Sequence, residues 1–333
     1  NVTIVGSTAL SGVRPYVLEN GHIPTDALHA RDWVVVAEKA GQTVSNLAHL
    51  KVGSSGYVYL QPSATMKVLV DLEGYYVPVA DDVSAGRYIP MATPAVRALS
   101  STPVAAGGSI TVDLASMAGT PIPTSASAVL VNLRVDHAAV GDWSVFPHGG
   151  ARPSAVALVT DTVGQARSNQ AIVALEPGSR TLDIWSRKGG NATLDVLAWF
   201  TGADDPVAND GLFIPAPGSG NHVRVLDTRT GRAIPPVGTA SFEYHLDGAP
   251  TFVGAMVANL MWAGPWQPAT LTMGAAGTGS MSSVNAAQHF GQIMATSLIT
   301  PISNRGAVVS SNQGGSFQRS EEHTSELQSL AYL

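Results

Sequence analysis

The sequence repeats the same ordered landmarks three times, and this limits the possible folds more than any other feature. An asparagine in an apolar run occurs at Asn1, Asn132 and Asn259, with spacings of 131 and 127 residues. A Gly-Gln pair follows at 41–42, 164–165 and 291–292, with spacings of 123 and 127 residues. Self-similarity at a fixed spacing indicates an array of modules. A period of about 125 residues is the size of a domain, not of a solenoid repeat.

A third landmark closes each unit and sets its boundary. It reads LVDLEGYY at residues 69–76 and TLDVLAWF at residues 193–200, which places Asp71 and Asp195 124 residues apart. The first unit lacks its beginning and the third lacks its closing strand, so only the second is expected to be complete. We predict unit one at 1–78, unit two at 87–202 and unit three at 211–318.

The segments outside the units are of two kinds. Residues 77–86 and 202–211 are small and polar and contain Pro or Asp, which is typical of linkers. Residues 319–329 instead resemble the translation of a sequencing-library adapter. We interpret 319–333 as a tail derived from that adapter and not as part of the fold. The chain is therefore expected to be an internal fragment of a longer reading frame.

The composition excludes several classes of protein. Because the chain contains no cysteine, it has no disulfide, no thiolate metal site and no cysteine nucleophile. The formal net charge of −6 argues against a nucleic-acid partner, which would require a basic face. No apolar run reaches the roughly 18 residues of a membrane helix. We expect no membrane insertion, no metal and no cofactor.

Apolar side chains alternate with polar ones along several short segments. In 128–135, Val129, Val131, Leu133 and Val135 are predicted to point inward, and Asn132 and Arg134 outward. In 67–73, the side chains at 68, 70 and 72 would share one face. A period of two residues indicates half-buried strands. The predicted fold is all-β, with tandem antiparallel β-sandwich (jelly-roll-like) repeats, and a β-trefoil is the alternative topology.

Each complete unit opens with a similar phrase. Residues 213–215 and 223–229 of unit three read FIP and VRVLDTR, and residues 88–99 of unit two read YIPMATPAVRAL. With the Gly-Gln pair and the closing Asp-x-x-Gly-Tyr-Tyr, these phrases resemble a tandem repeat of secreted and cell-surface actinobacterial proteins. The opening of that repeat reads Pro-x-Arg-x-Leu-Asp-Thr-Arg. The resemblance covers nearly all of 1–318 and implies an extracellular, non-catalytic module, often in tandem or attached to a hydrolase.

The resemblance singles out charged and polar positions that we interpret as structural. Unit two has Ser100 and Ser101 where unit three has Asp227 and Thr228, so a catalytic role for Asp227 or Arg229 would exist in one unit only. A carboxylate that caps a turn beside an arginine fork explains such a pair without catalysis. The structural-motif positions are Arg97, Arg224, Asp227, Arg229, Asp71, Asp195, Asn132 and Asn259.

Enzyme motifs do not occur in the sequence. It has no Gly-x-Ser-x-Gly elbow, no phosphate-binding loop and no dinucleotide fingerprint. No two histidines have the His-x-His or i,i+4 spacing of a metal site. These observations predict a protein that is not an enzyme.

Two tryptophans are the candidates for ligand binding. Trp143, which follows Asp142 at a turn-to-strand junction, and Trp266 are candidates for an exposed platform on which a sugar ring stacks. The alternative is that an aromatic residue at the start of a strand covers the edge of the core. Trp185 and Trp199 lie in predicted strands, which makes them core or sheet-face residues.

Two functions remain open. The first is a spacer or scaffold of a secreted or cell-surface protein, in which rigid units joined by short linkers set the reach of adjacent domains. The second is a glycan- or cell-wall-binding module that serves a hydrolase encoded outside this fragment, with cell-wall polysaccharide as its partner. Weak sites repeated along the chain would then raise the overall affinity through avidity.

Overall fold

The computed structural model of the 333-residue chain describes most of units one and two and parts of unit three. The described residues are 1–16, 33–50, 52, 56–77, 81–91, 95–117, 122–213, 239–243, 254–263, 269–275, 282–287, 292–302 and 306–311. Every regular element in these ranges is a β-strand, and the strands pair antiparallel. The predicted all-β class is confirmed. Within the same ranges, no helix has the length and apolar character needed to cross a membrane.

Unit one contains six described strands in two sheets. They are β1 (Val2–Val5), β2 (Ser11–Tyr16), β3 (Val35–Ala37), β4 (Val44–Asn46), β5 (Tyr59–Pro62) and β6 (Lys67–Val70). One sheet has the order β4-β1-β6 and the other β3-β2-β5. Ile4 of β1 and Val13 of β2 are buried in one shared core, so the two sheets pack face to face.

Unit two shows the same layering with more strands. They are β7 (Tyr88–Pro90), β8 (Val96–Val104), β9 (Ser109–Asp113), β10 (Ala128–Ala138), β11 (Gly141–Pro147), β12 (Leu158–Thr160), β13 (Gln165–Ala174), β14 (Thr181–Ser186) and β15 (Gly190–Phe200). One sheet has the order β13-β10-β15-β7, with β8 also paired to β15, and the other has the order β12-β11-β14-β9. Both sheets contribute to one buried core. This two-sheet layering favours the sandwich over the β-trefoil.

Unit three is described through six strands. They are β16 (Thr239–Glu243), β17 (Ala255–Ala263), β18 (Ala269–Ala275), β19 (Ser282–Ala287), β20 (Ile293–Pro301) and β21 (Gly306–Ser311). β17 pairs with β20, and the second sheet has the order β16-β21-β18-β19. The predicted absence of a closing strand and the predicted tail at 319–333 both concern residues after 311, which lie outside the described residues.

The strands that carry the landmarks pair in the same way in all three units. The strand that carries the landmark asparagine (β1, β10 or β17) pairs with the strand that follows the Gly-Gln pair (β4, β13 or β20). The register also agrees, because Asp71 donates its backbone N–H to the carbonyl of Asn1, and Asp195 pairs with Asn132. The landmark asparagine and the closing aspartate therefore lie side by side on neighbouring strands.

The alternation along β10 predicts which way the side chains point, but not the burial of the outer face. Val129, Val131 and Leu133 are buried in the sandwich core, as predicted. Asn132 lies on the outward face, as predicted, but its side chain is buried as well. The reason is that the outer face of this sheet packs against unit three, where Leu130 contacts the cluster that contains Ile299.

The segments predicted as linkers pair with each other. Val83 and Ala208 exchange two backbone hydrogen bonds of 3.0 and 3.1 Å. The buried Arg87 guanidinium donates to the carboxylate of Asp210 and to the carbonyl of Pro206. These contacts hold both ends of unit two together, so the described parts of the segments are ordered connections and not loose tethers.

Candidate functional site

The structure places Trp143 inside unit two. Its side chain is 0% exposed, and the strand register sets it opposite Leu158 and Ser186. Gly190 leaves room for the ring, since a Cβ at this glycine would lie 3.0 Å from Cζ2 of Trp143. The prediction that Trp143 is an exposed platform is therefore wrong. The ring instead fills the core, because burial removes its large apolar surface from water.

Asp142 points away from the core and is paired. The Arg187 guanidinium donates to both oxygens of the Asp142 carboxylate, with a distance of 3.2 Å from Nη2 to Oδ2. This hydrogen bond and the charge of Asp142 raise the pKa of the exposed Arg187. Arg187 also lies 5.8 Å from the centre of the half-buried Trp185 ring, and Arg152 lies 4.1 Å from it. Trp185, not Trp143, is the tryptophan that reaches the surface beside Asp142. Trp266 lies outside the described residues.

The opening arginine and the closing aspartate of unit two form an ion pair. Arg97 of β8 lies opposite Asp195 of β15, and its Nε donates to the Asp195 carboxylate. The carboxylate is buried while half of the Arg97 side chain remains exposed. The pair links two strands across the sheet, which is a structural role. The corresponding unit-three positions Arg224, Asp227 and Arg229 lie outside the described residues.

The landmark asparagines join neighbouring units. Asn1 donates its side-chain N–H to the carbonyl of Val156 in unit two. Asn259 donates in the same way to the carbonyl of Trp33 in unit one, at 3.1 Å. Trp33 and Val156 occupy equivalent positions, because they are 123 residues apart, as the Gly-Gln pairs are. The asparagine at this repeat position therefore donates the same side-chain hydrogen bond at two junctions between units.

The contacts between units form a closed cycle. Unit one contacts unit two through Asn1, and unit three contacts unit one through Asn259. Between units two and three, Arg134 donates to the hydroxyl of Thr270 at 3.2 Å. Head-to-tail interfaces that return to the first member make a ring. The three sandwiches are therefore arranged around a common axis.

Strands β4, β13 and β20 meet at this axis, and polar side chains make the contacts there. Gln170 donates from Nε2 to the carbonyl of Ile299 at 3.0 Å and accepts the N–H of Ile299 at 2.8 Å. Asn46 donates to the carbonyl of Ala295, and Asn169 accepts the N–H of Leu47. These contacts lie in buried surroundings, where each polar group requires a partner.

A buried charge lies beside the axis. Arg167 is buried, and its Nη1 donates to the carbonyl of Val159 at 3.3 Å. Burial lowers the pKa of its guanidinium, while the carboxylates of Asp161 and Glu38 oppose that change. An adjoining cavity of about 10 Å³ has roughly the room for one water. Its lining residues are Val36, Val44, Asn46, Arg167, Ser168, Met294 and Ala295.

Glu38 and Asp161 are equivalent residues that meet the next unit differently. The Glu38 carboxylate accepts hydrogen bonds from Gln292 Nε2 at 2.9 Å and from the N–H of Ile293 at 2.5 Å. Asp161 occupies the same place 123 residues later in unit two. There β12 of unit two contacts β4 of unit one, in the way that β3 of unit one contacts β20 of unit three. Both of its carboxylate oxygens are buried without a hydrogen-bond partner among the described residues. The shorter aspartate side chain accounts for this difference.

Exchanging these two side-chain lengths should change stability in opposite directions. We expect Glu38→Asp to lower the free energy of unfolding by about 1–3 kcal/mol, because it leaves the Ile293 N–H buried without an acceptor. We expect Asp161→Glu to raise it by about 1 kcal/mol, because the longer side chain reaches the start of β4. Urea denaturation of both variants measures the two changes. A loss of stability in Asp161→Glu as large as in Glu38→Asp would contradict this explanation.

Sequence reasoning did not identify the residues at the axis. The signal was present, since a Ser-Asn pair follows the Gly-Gln pair at the same distance in units one and two, as Ser45-Asn46 and Ser168-Asn169. Polar residues repeated at one position of a strand indicate a shared contact.

No group of three or more metal-ligating side chains occurs in the described ranges. Comparison of the sequence with models of protein families and with curated proteins finds no match.

Proposed function

We propose that the chain is a non-catalytic scaffold module of a secreted or cell-surface bacterial protein. One observation carries this proposal, namely the buried hydrogen bonds that join the three units in a ring, of which the Gln170–Ile299 pair is the best defined. Separating the units would leave these donors and acceptors without partners in the interface. Each such loss costs about 1–3 kcal/mol, so the bonds oppose movement of one unit against another.

A rigid block sets distances in a way that a flexible chain does not. In this proposal, the ring holds its three sandwiches at fixed positions, and the paired connections at Val83 and Ala208 hold the ends of unit two. Domains attached to such a block keep a defined separation and orientation. The low fraction of charged residues, 13%, gives a surface with few sites for ionic association, which suits a spacer outside the cell.

Distances between spin labels test this rigidity. The absence of cysteine from the whole sequence allows each label to be attached at a single introduced thiol. The exposed positions Thr65, Glu176 and Gly254 lie in units one, two and three, and Gly254 has open space for a Cβ. We expect Cys replacements, taken in pairs, to give three narrow distance distributions. Broad distributions for all three pairs would contradict the scaffold proposal.

A second candidate function is binding of a cell-wall glycan, which one surface of unit two favours. The half-buried Trp185 ring lies beside the Asp142–Arg187 pair. On the same strand, the Asp183 carboxylate accepts from Thr111 at 2.7 Å and lies 2.9 Å from Nδ1 of His148. An aromatic ring flanked by polar side chains is the arrangement on which sugars stack. Retention on cell-wall polysaccharide distinguishes this function from a scaffold alone.

A further inference from the structure

A loop of unit two holds an arginine over the Trp185 ring. The loop joins β11 to β12 and is tied to the sheet where the hydroxyl of Ser144 donates to the carbonyl of Ala155 at 2.9 Å. The ring is fixed as well, because its Nε1 donates to the carbonyl of Gly107 at 3.1 Å. The guanidinium of Arg152 lies 4.1 Å from the ring centre, where a cation–π contact is favourable. Both groups are therefore held in place before any ligand binds.

The charge of Arg152 is not neutralised within the described part of the chain. Arg152 is exposed, and none of the ion pairs between described residues includes it. The carboxylates beside the ring on β11 and β14 have other partners, since Asp142 binds Arg187 and Asp183 lies 2.9 Å from Nδ1 of His148. The guanidinium of Arg152 therefore keeps its N–H groups available for an anion from outside.

The surface around this ring is positive, although the whole chain has a formal net charge of −6. Beyond the Asp142–Arg187 pair, it carries the exposed cations Arg152 and Lys188. Lys188 follows Arg187 in the turn after β14, and its stem lies beside Gly141, because a Cβ at this glycine would come within 3.2 Å of Cγ of Lys188. A local excess of positive charge on an acidic protein attracts anions to that one place.

The position of Arg152 indicates whether a bound sugar is neutral or charged. A guanidinium 4.1 Å from the ring centre covers the face of Trp185 that it contacts, so a sugar cannot stack on that face. A ligand instead meets the edge of the guanidinium, where the N–H donors form a rigid planar fork. This fork matches the two oxygens of a carboxylate or a phosphate. The geometry therefore favours a sugar with a negative charge over a neutral one.

We propose that the Arg152 surface, which consists of Arg152, Trp185, Arg187 and Lys188, binds an acidic polysaccharide whose sugars carry carboxylate or phosphate groups. Arg152 binds the anionic group, and the Trp185 ring fixes the orientation of its guanidinium. Arg187, 5.8 Å from the same ring centre, and Lys188 add positive charge for the neighbouring groups of the polymer. This inference rests on the glycan-binding candidate function and narrows it to one class of glycan.

Three immobilised polymers test this proposal with the full chain. Polygalacturonate carries carboxylates, phosphomannan carries phosphates, and dextran carries no charge. We expect the chain to bind at least one of the acidic polymers about tenfold more tightly than dextran, because hydrogen bonds to a charged group are the strong ones. The difference should shrink as the salt concentration rises, since salt screens exposed charges. The acidic polymer that binds more tightly shows whether the anion is a carboxylate or a phosphate.

Single substitutions assign the binding to this surface. Arg152→Gln should weaken binding of the acidic polymer about threefold to tenfold, the range for a charged hydrogen bond that water partly screens. Arg152→Lys keeps the charge but loses the planar fork, so it should weaken binding by a smaller factor. The matched control is Lys67→Gln, which removes the same charge from an exposed residue of unit one and should bind as the unmodified chain does.

Failure of this inference is distinguishable from failure of glycan binding itself. If dextran binds as tightly as both acidic polymers, the proposal is overturned, but binding of a glycan still stands. The proposal is also overturned if Arg152→Gln leaves the affinity unchanged, or if Lys67→Gln lowers it equally, because net charge and not this surface would then set the affinity. If the chain binds none of these polymers and no cell-wall polysaccharide, the glycan-binding function fails together with this inference.

Discussion

Replacing Trp143 with alanine is expected to lower the free energy of unfolding of unit two by about 3–5 kcal/mol, the cost of truncating a buried aromatic side chain. The ring lies in the core formed by β10, β11 and β14. It lies next to Gly190, which has no Cβ that would crowd the ring. The Gly190 backbone already lies against the ring and cannot move far into the space that truncation leaves. A cavity therefore remains. Urea denaturation, followed by the fluorescence of the remaining tryptophans, measures the loss. A cost below about 1 kcal/mol would show that Trp143 is not a core residue.

Trp185→Ala is the matched control. Its ring is half-buried on the outer face of β14, so we expect a cost of only about 1 kcal/mol, which includes the contact with Arg152.

The Trp185→Ala variant also decides between the two candidate functions. Loss of polysaccharide retention in Trp185→Ala, with the fold intact, would support glycan binding. Retention lost only in Trp143→Ala would reflect unfolding, and no retention by the unmodified chain favours the scaffold.

The alternation of apolar residues predicted the strands because it reports burial within a single sandwich. Val129, Val131 and Leu133 follow a period of two and line the core of unit two. The same local signal does not distinguish a polar side chain in water from one in a polar interface, so it does not predict the burial of Asn132. Its burial depends on unit three, which is distant in sequence.

The ambiguity at Trp143 has a different physical origin. An aromatic residue that follows Gly-Asp at the start of a strand fits both an exposed platform and the edge of a core, and the strand phase decides between them. In the structure, the phase directs Trp143 inward and Asp142 outward to Arg187. Arg97 and Asp195 were likewise identified as structural residues, but not as partners. Their pairing depends on a strand register across 98 residues, which local pattern does not contain.

Gln170→Ala is expected to separate units two and three. The Gln170 side chain provides both a donor and an acceptor to Ile299, at 3.0 and 2.8 Å. Alanine leaves the N–H and C=O of Ile299 buried without these partners. Because each unpaired group costs about 1–3 kcal/mol, we expect a loss of about 2–4 kcal/mol. The loss falls on the interface, so a single unfolding transition should split into two.

Gln165→Ala separates this effect from a general loss of stability. Gln165 lies on the same strand and is also buried, but its side-chain oxygen accepts the N–H of Asp161 within unit two at 2.8 Å. Both variants remove a buried glutamine, and only Gln170→Ala removes a bond to another unit. Spin labels at positions 176 and 254 should therefore report a broad distance distribution in Gln170→Ala and a narrow one in Gln165→Ala. Equal widths in both variants would show that this pair of hydrogen bonds does not hold the ring together, because rigidity would then arise from the apolar contacts around Leu130 and Ile299.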